Sequence, residues 1–586
     1  MITTQVATTG AAGGDQEMRS MDGYEVPSVA ERRASSATPA LSPAKFSEAI
    51  DAIGMGPFQR RLAVMCGMGW VIDALEIVVI SFVLEDVAIS FNLGSVGKGI
   101  IGSASFLGML FGAGFWSVYA DKNGRRVAFV QSLACVFFGG IASALSPSLV
   151  YLCIFRMVVG FGVGGNLPVT AALVTEFMPT SHRADVLCRI AGTFWGIGIL
   201  TAAFIGLLLS NVLGPGQAGL VWRWFLGLAA FPSAMVGVAY KLLPESPRFL
   251  NVMGRDEEAL EVLEKVARVN GKLDVLGLDF AGHRGEGDAL RLETGTSSNG
   301  ASVPRTASVV DSYQHKDVDA EGRAEVSVVL RPGDGIVSTG GYAHGEEAEH
   351  AQAGDFRELF HTPILRRVTL CLWTVWFSIN ISYYGVTFVL PKYYDEIFSG
   401  NQDMVYILTA FVGLSFIPGA YTAMWLCAEH RLGRVGALKW SSIGAAISAL
   451  VMAMLTNVTV LFAIMSIVTL FFNAVPGTVM YLITPELYST KYRAVGLGSA
   501  SVVTRLGGLV APILAEVLYD KGGSVAPLVV FGPVMLITAS AAAMIPIETA
   551  GLKLDDDSWD RRDGVATKDS YIEPTEGSYS DSAMDT

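Results

Sequence analysis

Residues 62–84 read LAVMCGMGWVIDALEIVVISFVL, an apolar run in which the only charged residues are Asp73 and Glu76. A helix needs about 20 apolar residues to cross roughly 30 Å of hydrocarbon, and this run has that length. Its 3.6-residue period is weak, as expected of a span that is apolar nearly all round. It does not alternate and is too long for a barrel strand. Eleven further runs repeat the pattern, at about 99–118, 127–146, 149–173, 189–210, 221–243, 367–390, 404–427, 436–455, 459–483, 495–519 and 525–546. The sequence therefore predicts an all-α polytopic membrane protein with twelve transmembrane helices.

The composition agrees. Of 586 residues 51% are hydrophobic and only 16% charged, with 64 glycines and a mean hydropathy of +0.46. That charge is too little to cover a soluble protein of this length. The net charge of −13 is concentrated in a C-terminal tail from Asp555 to Asp585, a solvated segment. No basic stripe with stacking aromatics appears, which argues against nucleic-acid binding. The six cysteines fall in or beside apolar runs with no metal-ligand spacing, so they read as small buried hydrophobes. The polar first 45 residues contain no cleavable signal, leaving the first span to direct insertion.

Polar segments divide the spans six and six. The chain reads as a mostly disordered cytoplasmic tail over 1–58, a six-helix bundle over 59–250 and a mostly disordered central loop over 251–358. A second six-helix bundle over 359–548 and an acidic tail over 549–586 follow. The central loop opens with an amphipathic stretch at Glu257–Arg268, and 271–354 has too few large apolar residues to offset the entropy of ordering. With the N-terminus inside, the inner loops carry ten Lys and Arg residues, from Lys122 to Arg493. The outer loops carry Lys98, Lys392 and Lys521. This satisfies the positive-inside rule and puts both termini and the central loop in the cytoplasm. Arg32-Arg33-Ala34-Ser35 matches a basophilic kinase site, so kinases and other cytoplasmic partners at the tails and central loop are candidate contacts.

The halves echo each other. Asp121-Lys122-Asn123-Gly124-Arg125-Arg126 follows the second span, and Glu429-His430-Arg431-Leu432-Gly433-Arg434 stands at the matching place after the eighth. Glu176 and Arg183 after the fourth span correspond to Glu486 and Arg493 after the tenth. Such correspondence marks an internally duplicated transporter with its substrate site between the halves, near the midplane.

These motifs carry a resemblance. Asp121 to Arg126 resembles the loop signature of the major facilitator superfamily, and Arg156 with Gly160, Gly162, Gly164, Gly165 and Pro168 is similar to its fourth-helix pattern. Pro244-Glu245-Ser246-Pro247-Arg248 looks like the sixth-helix exit of sugar and organic-ion porters. Asp73-Ala74-Leu75-Glu76, Ser382-Tyr383-Tyr384-Gly385 and Thr484-Pro485-Glu486-Leu487-Tyr488 narrow the likeness to the synaptic-vesicle-protein-related branch. The resemblance implies two six-helix bundles and alternating access. It also implies an inner-gate charge network at Asp121, Arg125 and Arg126, with Glu176, Arg183, Glu486 and Arg493 as its equivalents. The chain departs from the pattern at Ser117 and, in the second half, at Leu426 and His430, so the second signature reads as degenerate. A Gly-Pro antiporter motif is missing from the fifth span, which disfavours an efflux pump.

Ionisable groups inside a span are costly and usually functional. Asp73, Glu76, Arg156 and Arg505 are the deep ones, and no histidine lies in a span, so a carboxylate must carry any transported proton. Asp73 and Glu76 share one helix face, and two carboxylates so close do not both ionise readily, which suits this pair to proton coupling. Depth pairs Glu76 with Arg156, as a gate or as one fixed cluster with Asp73. Arg505 has no acid at its depth in its own half; an anionic substrate or the carbonyls of a broken helix would satisfy it. Asn380, Tyr383, Tyr384 and Asn473 offer polar and aromatic contacts to a solute or between helices. Arg156, Arg505 and these four are the candidate substrate contacts. The glycine run at 160–165 lies within an apolar helix with no preceding strand, so it reads as a packing seam rather than a nucleotide loop.

The expected protein is thus a secondary transporter and multi-pass membrane protein that moves a small organic solute, an organic anion by preference, with protons as partner and no cofactor. Enzyme activity has no motif in its favour. A facilitated sugar or organic-cation carrier, and a transport-inactive protein binding partners through its central loop, remain open alternatives.

Overall fold

The computed structural model describes residues 43–213, 218–241, 243–273, 356–398, 400–428, 431–488 and 492–550. The kinase-like Arg32–Ser35 stretch, the 274–355 part of the central loop, His430 and the tail beyond 550 lie outside them. Among the described residues there is no strand, and twelve helices are long and apolar enough to span a bilayer. In the first half these are α1 (Pro57–Phe91), α2 (Ser95–Asn123), α3 (Arg125–Ala144), α4 (Leu149–Phe177), α5 (Arg183–Leu213) and α6 (Ala218–Tyr240). The second half comprises α7 (Pro363–Ile397), α8 (Gln402–Leu426), α9 (Gly433–Met454), α10 (Thr459–Glu486), α11 (Arg493–Gly522) and α12 (Val525–Ala543).

Several helices outrun the apolar stretches that announce them. α1 has 35 residues, about 52 Å of helix, because Pro57 starts it well before the apolar core and Asn92, at φ 52°, ends it in a left-handed cap. The region read as N-terminal tail also changes. Pro43–Ile53 is helical, with Ile50 and Ile53 buried, so the tail is helical from residue 43. Its Asp51 side chain accepts from the backbone N–H and hydroxyl of Thr180 at 2.6 and 2.8 Å. A helix over Asp256–Asn270 carries the amphipathic start of the central loop. Asn270 there donates to Gln59 at 2.8 Å and accepts from the Phe58 N–H at 3.1 Å, which clamps the cytoplasmic end of α1.

The outward faces carry Phe111, Phe138, Phe204, Met235 and Trp425, each more than half exposed. On a soluble protein such a surface would drive aggregation; here it faces lipid. Inside the first half the 160–165 glycines are a seam. A Cβ on Gly160 would overlap the Ser105 carbonyl, and one on Gly164 the Met109 carbonyl. Gly108 and Gly112 on α2 press equally on the backbone of Met157 and Phe161 in α4. Without a hydrophobic drive between helices in lipid, such close backbone approach supplies the van der Waals contact that joins them.

Candidate transport site

α1, α2, α4 and α5 of the first half and α7, α8, α10 and α11 of the second enclose a cavity of about 740 Å³, its mouth included. Asp73, Asn380, Tyr383, Tyr384, Asn473 and Arg505 all line it, so the structure gathers six of the expected site residues into one chamber. Asp73 is 6% exposed, and its Oδ1 accepts from Asn166 Nδ2 at 2.5 Å. Asn166 Oδ1 in turn accepts from the Ser132 hydroxyl at 3.2 Å, so α3, α4 and α1 are tied behind the carboxylate. Asn166 was missed by the sequence reading, although an asparagine inside an apolar span is itself a signal. Arg505 enters from the opposite half, 7% exposed, with its Nε buried and without a hydrogen-bond partner among the described residues. It lies close enough to Asp73 for their charges to interact.

Aromatic rings make the walls. Trp195 on α5 donates to the Tyr383 hydroxyl at 2.8 Å, a direct link between the halves, and Tyr384 packs on Phe106 of α2 with ring centres 4.6 Å apart. The Asn380 amide donates to the Trp376 carbonyl at 2.8 Å, so it holds its helix as well as facing the cavity. Tyr383 separates the chamber from a smaller one of about 280 Å³ lined by Ser81, Thr387 and Thr409.

Glu76 and Arg156 do meet, at 2.9 Å, and Arg156 also donates to the Glu76 carbonyl at 3.2 Å and to Ser105 at 3.4 Å. Both are about fully buried, and neither lines the cavity. Arg156, expected among the substrate contacts, therefore sits behind the wall, held by a partner one helical turn beyond Asp73. Glu76 likewise has no face on the chamber.

On the cytoplasmic side the expected pairings shift. Arg125 binds Asp121 at 3.1 Å and Glu176 at 3.1 Å, while Arg183 turns its Nε to the Met178 carbonyl at 2.9 Å. Arg126 donates from its side chain to the Leu243 carbonyl at 3.1 Å. Glu245 accepts from the backbone N–H groups of Arg125 and Arg126 at 2.9 and 3.2 Å, an anion on the N-terminus of α3. The second half repeats this. Arg434 binds Glu486 at 3.2 Å, and Glu548 accepts from the Arg434 and Val435 N–H groups at 2.7 and 3.0 Å on the N-terminus of α9. Gly124 and Gly433, at φ +102° and +70°, supply the matching turns. Glu486 thus pairs with Arg434; the Arg493 side chain lies outside the described ones. The second signature, degenerate in sequence at His430, keeps its charge triad, and Glu548 was not legible because it lies far along the chain.

At the outer ends the halves are tied together. Glu85 accepts from Lys98 at 2.5 Å and forms an ion pair with Lys392 at 3.1 Å, and Lys392 also stands 3.7 Å from Glu516 and over the Tyr519 ring. Ser95 donates to Asp520 at 3.3 Å and Ser210 to Asp403 at 2.6 Å.

The comparisons fit this geometry. The model of the family described as sugar (and other) transporter matches residues 74–276 and 339–560. The organic cation/carnitine transporter 7 of Arabidopsis thaliana is 28% identical, over 87% of this chain and 95% of its own length. The synaptic vesicle 2-related protein of Xenopus laevis is 27% identical, over 87% and 82%. The niacin transporter NiaP of Acinetobacter baylyi is 30% identical, over 86% and 98%. Among solved structures, the partially occluded inward-open xylose transporter XylE from E. coli superposes with a TM-score of 0.60 at 14% identity, over 84% of this chain and all of that one.

Proposed function

Since the chain belongs to the sugar (and other) transporter family, within the major facilitator superfamily, we propose that it is a proton-coupled symporter of a small organic anion, working by alternating access. The family makes it a multi-pass membrane transporter of small solutes and not an enzyme; the coupling and the substrate class are the further step. The observation that supports that step is that Asp73 and Arg505 face one cavity from opposite halves, the arginine's Nε having no hydrogen-bond partner among the described residues. A buried guanidinium N–H left unsatisfied is expensive, and an anionic solute supplies an acceptor. With Asp73 ionised, its carboxylate competes for that cation across the chamber. Protonation removes the competitor, so proton and anion are favoured together, and Asp73 is the carrier.

In this reading Asn166 positions the Asp73 carboxylate. Glu76 and Arg156 hold α1 against α4 and set the electrostatic background rather than touching the solute. Asn380, Tyr383, Tyr384 and Asn473 contact the solute body. Asp121, Arg125, Arg126, Glu176, Arg183, Glu486 and Arg493 belong to the cytoplasmic gate, together with Glu245, Arg434 and Glu548. One anion charge and one proton cancel, so proteoliposomes are best read by a lumenal pH dye rather than by current. Organic acids are expected to drive proton entry while sugars and organic cations do not, and Arg505→Met is expected to abolish the acid response. Proton entry driven by a cation or sugar, untouched by Arg505→Met, overturns the anion assignment.

A further inference from the structure

Tryptophan indoles offer an internal control on the cavity. Five that are buried or half-buried donate their N–H to a protein acceptor: Trp116 to the Phe161 carbonyl, Trp195 to Tyr383, Trp222 to Ser90, Trp373 to Ser499 and Trp376 to Thr484, all between 2.8 and 3.1 Å. Trp224, Trp425 and Trp440 are more than half exposed on the outside. Trp70 matches neither group. It is 4% exposed, lines the transport cavity, and its Nε1 is buried with no acceptor among the described residues. A buried indole N–H normally finds a partner, and leaving one unmade is costly.

The ring is not free to search for one. Trp195 packs edge-on against it with centroids 6.2 Å apart at 70°, and Tyr481 at 5.1 Å and 81°. Tyr481 is itself held edge-on by Trp376 at 4.9 Å. The donor is fixed in the wall of a chamber that also holds Arg505 Nε, from the opposite half and likewise without a partner among the described residues. Two orphan donors, one charged and one neutral, are complementary to one solute with two acceptors. Trp195, Tyr383, Tyr384 and Phe416 line the same chamber and suit a flat ring.

We propose that the Trp70 indole N–H is the second anchor of the substrate, so that the transported acid carries a ring acceptor besides its carboxylate and is selected there. The inference rests on the anion reading above. A solute bridging Trp70 of α1 and Arg505 of α11 ties the halves at the midplane, which links correct recognition to closure of the cavity. Recognition of this kind discriminates by leaving the donor unpaired when the wrong solute binds.

The test is binding to purified full-length protein of four probes: benzoate, pyridine-3-carboxylate, benzamide and pyridine-3-carboxamide. They have nearly the same shape and differ only in ring nitrogen and charge. Wild type is expected to prefer pyridine-3-carboxylate over benzoate by roughly three- to tenfold, the worth of about one net hydrogen bond. Trp70→Phe keeps a six-membered aromatic ring and loses the pyrrole ring with its N–H; it is expected to erase that preference while benzoate still binds, which also certifies the variant as folded. A preference that survives Trp70→Phe, or none in wild type, overturns the proposal. If both acids fail and the amide pair shows the Trp70-dependent preference, the anion reading falls and the anchor stands. Failure of all four probes overturns both.

Discussion

Glu76 and Arg156 illustrate how a buried charge pair behaves once it is removed from the chamber it adjoins. The pair is nearly inaccessible, and Glu76 Oε1 and Arg156 Nη1 have no hydrogen-bond partner among the described residues. Removing one member strands the other charge, so Arg156→Met is expected to cost about 3–5 kcal/mol, seen as a lower melting temperature in detergent. The double replacement Glu76→Gln with Arg156→Met is expected to recover much of that loss; a double variant as unstable as the sum of the singles contradicts the account. These residues and Asp73 were legible because ionisable groups inside apolar runs are rare. Trp70 was not, because a tryptophan in a span reads as bulk; Asn166 carried a signal as an amide in an apolar run, but its role became plain only with its partner Asp73. Depth along two helices correctly brought Glu76 to Arg156, but depth does not report which face meets the cavity, and so Arg156 was misplaced among the substrate contacts.

At the scale of helices, the α2–α4 seam joins the first half, and the two cytoplasmic triads, one in each half, repeat one arrangement. A Cβ on Gly160 meets main chain rather than a flexible side-chain end, so Gly160→Val is expected to separate α2 from α4. Size-exclusion chromatography should then show aggregation or loss of yield, while Gly114→Ala, open to space, should not. The triads predict parity. Arg125→Ala and Arg434→Ala each remove the arginine paired with one glutamate, Glu176 or Glu486, and leave Glu245 and Glu548 on their helix N-termini. Both are expected to slow transport by a similar factor; an inert Arg434→Ala would mean the second copy is vestigial. The first-half loop was readable from its motif. Its second-half twin was not fully so, because the pattern departs at His430 and Leu426 while Arg434 and Glu486 keep their pairing.

For the whole molecule, twelve spans and a six-plus-six division follow from apolar run length alone, since lipid leaves a helix few alternatives. Which gate is shut does not follow, because it depends on contacts between residues hundreds of positions apart. Glu85 with Lys392, Ser95 with Asp520 and Ser210 with Asp403 join the halves at their outer ends, so this conformation is closed to the outside. Lys392→Ala is expected to shift the population outward. A cysteine placed at Thr387, 8% exposed in this state, should then react with an impermeant maleimide added outside, and without Lys392→Ala it should stay protected. The central claim is that Asp73 binds the transported proton, and the most direct measurement compares uphill uptake with exchange in Asp73→Asn proteoliposomes. The account predicts that labelled-solute exchange at equal concentrations survives while accumulation driven by a pH gradient is lost. Accumulation as steep as in wild type would contradict it and move the proton elsewhere.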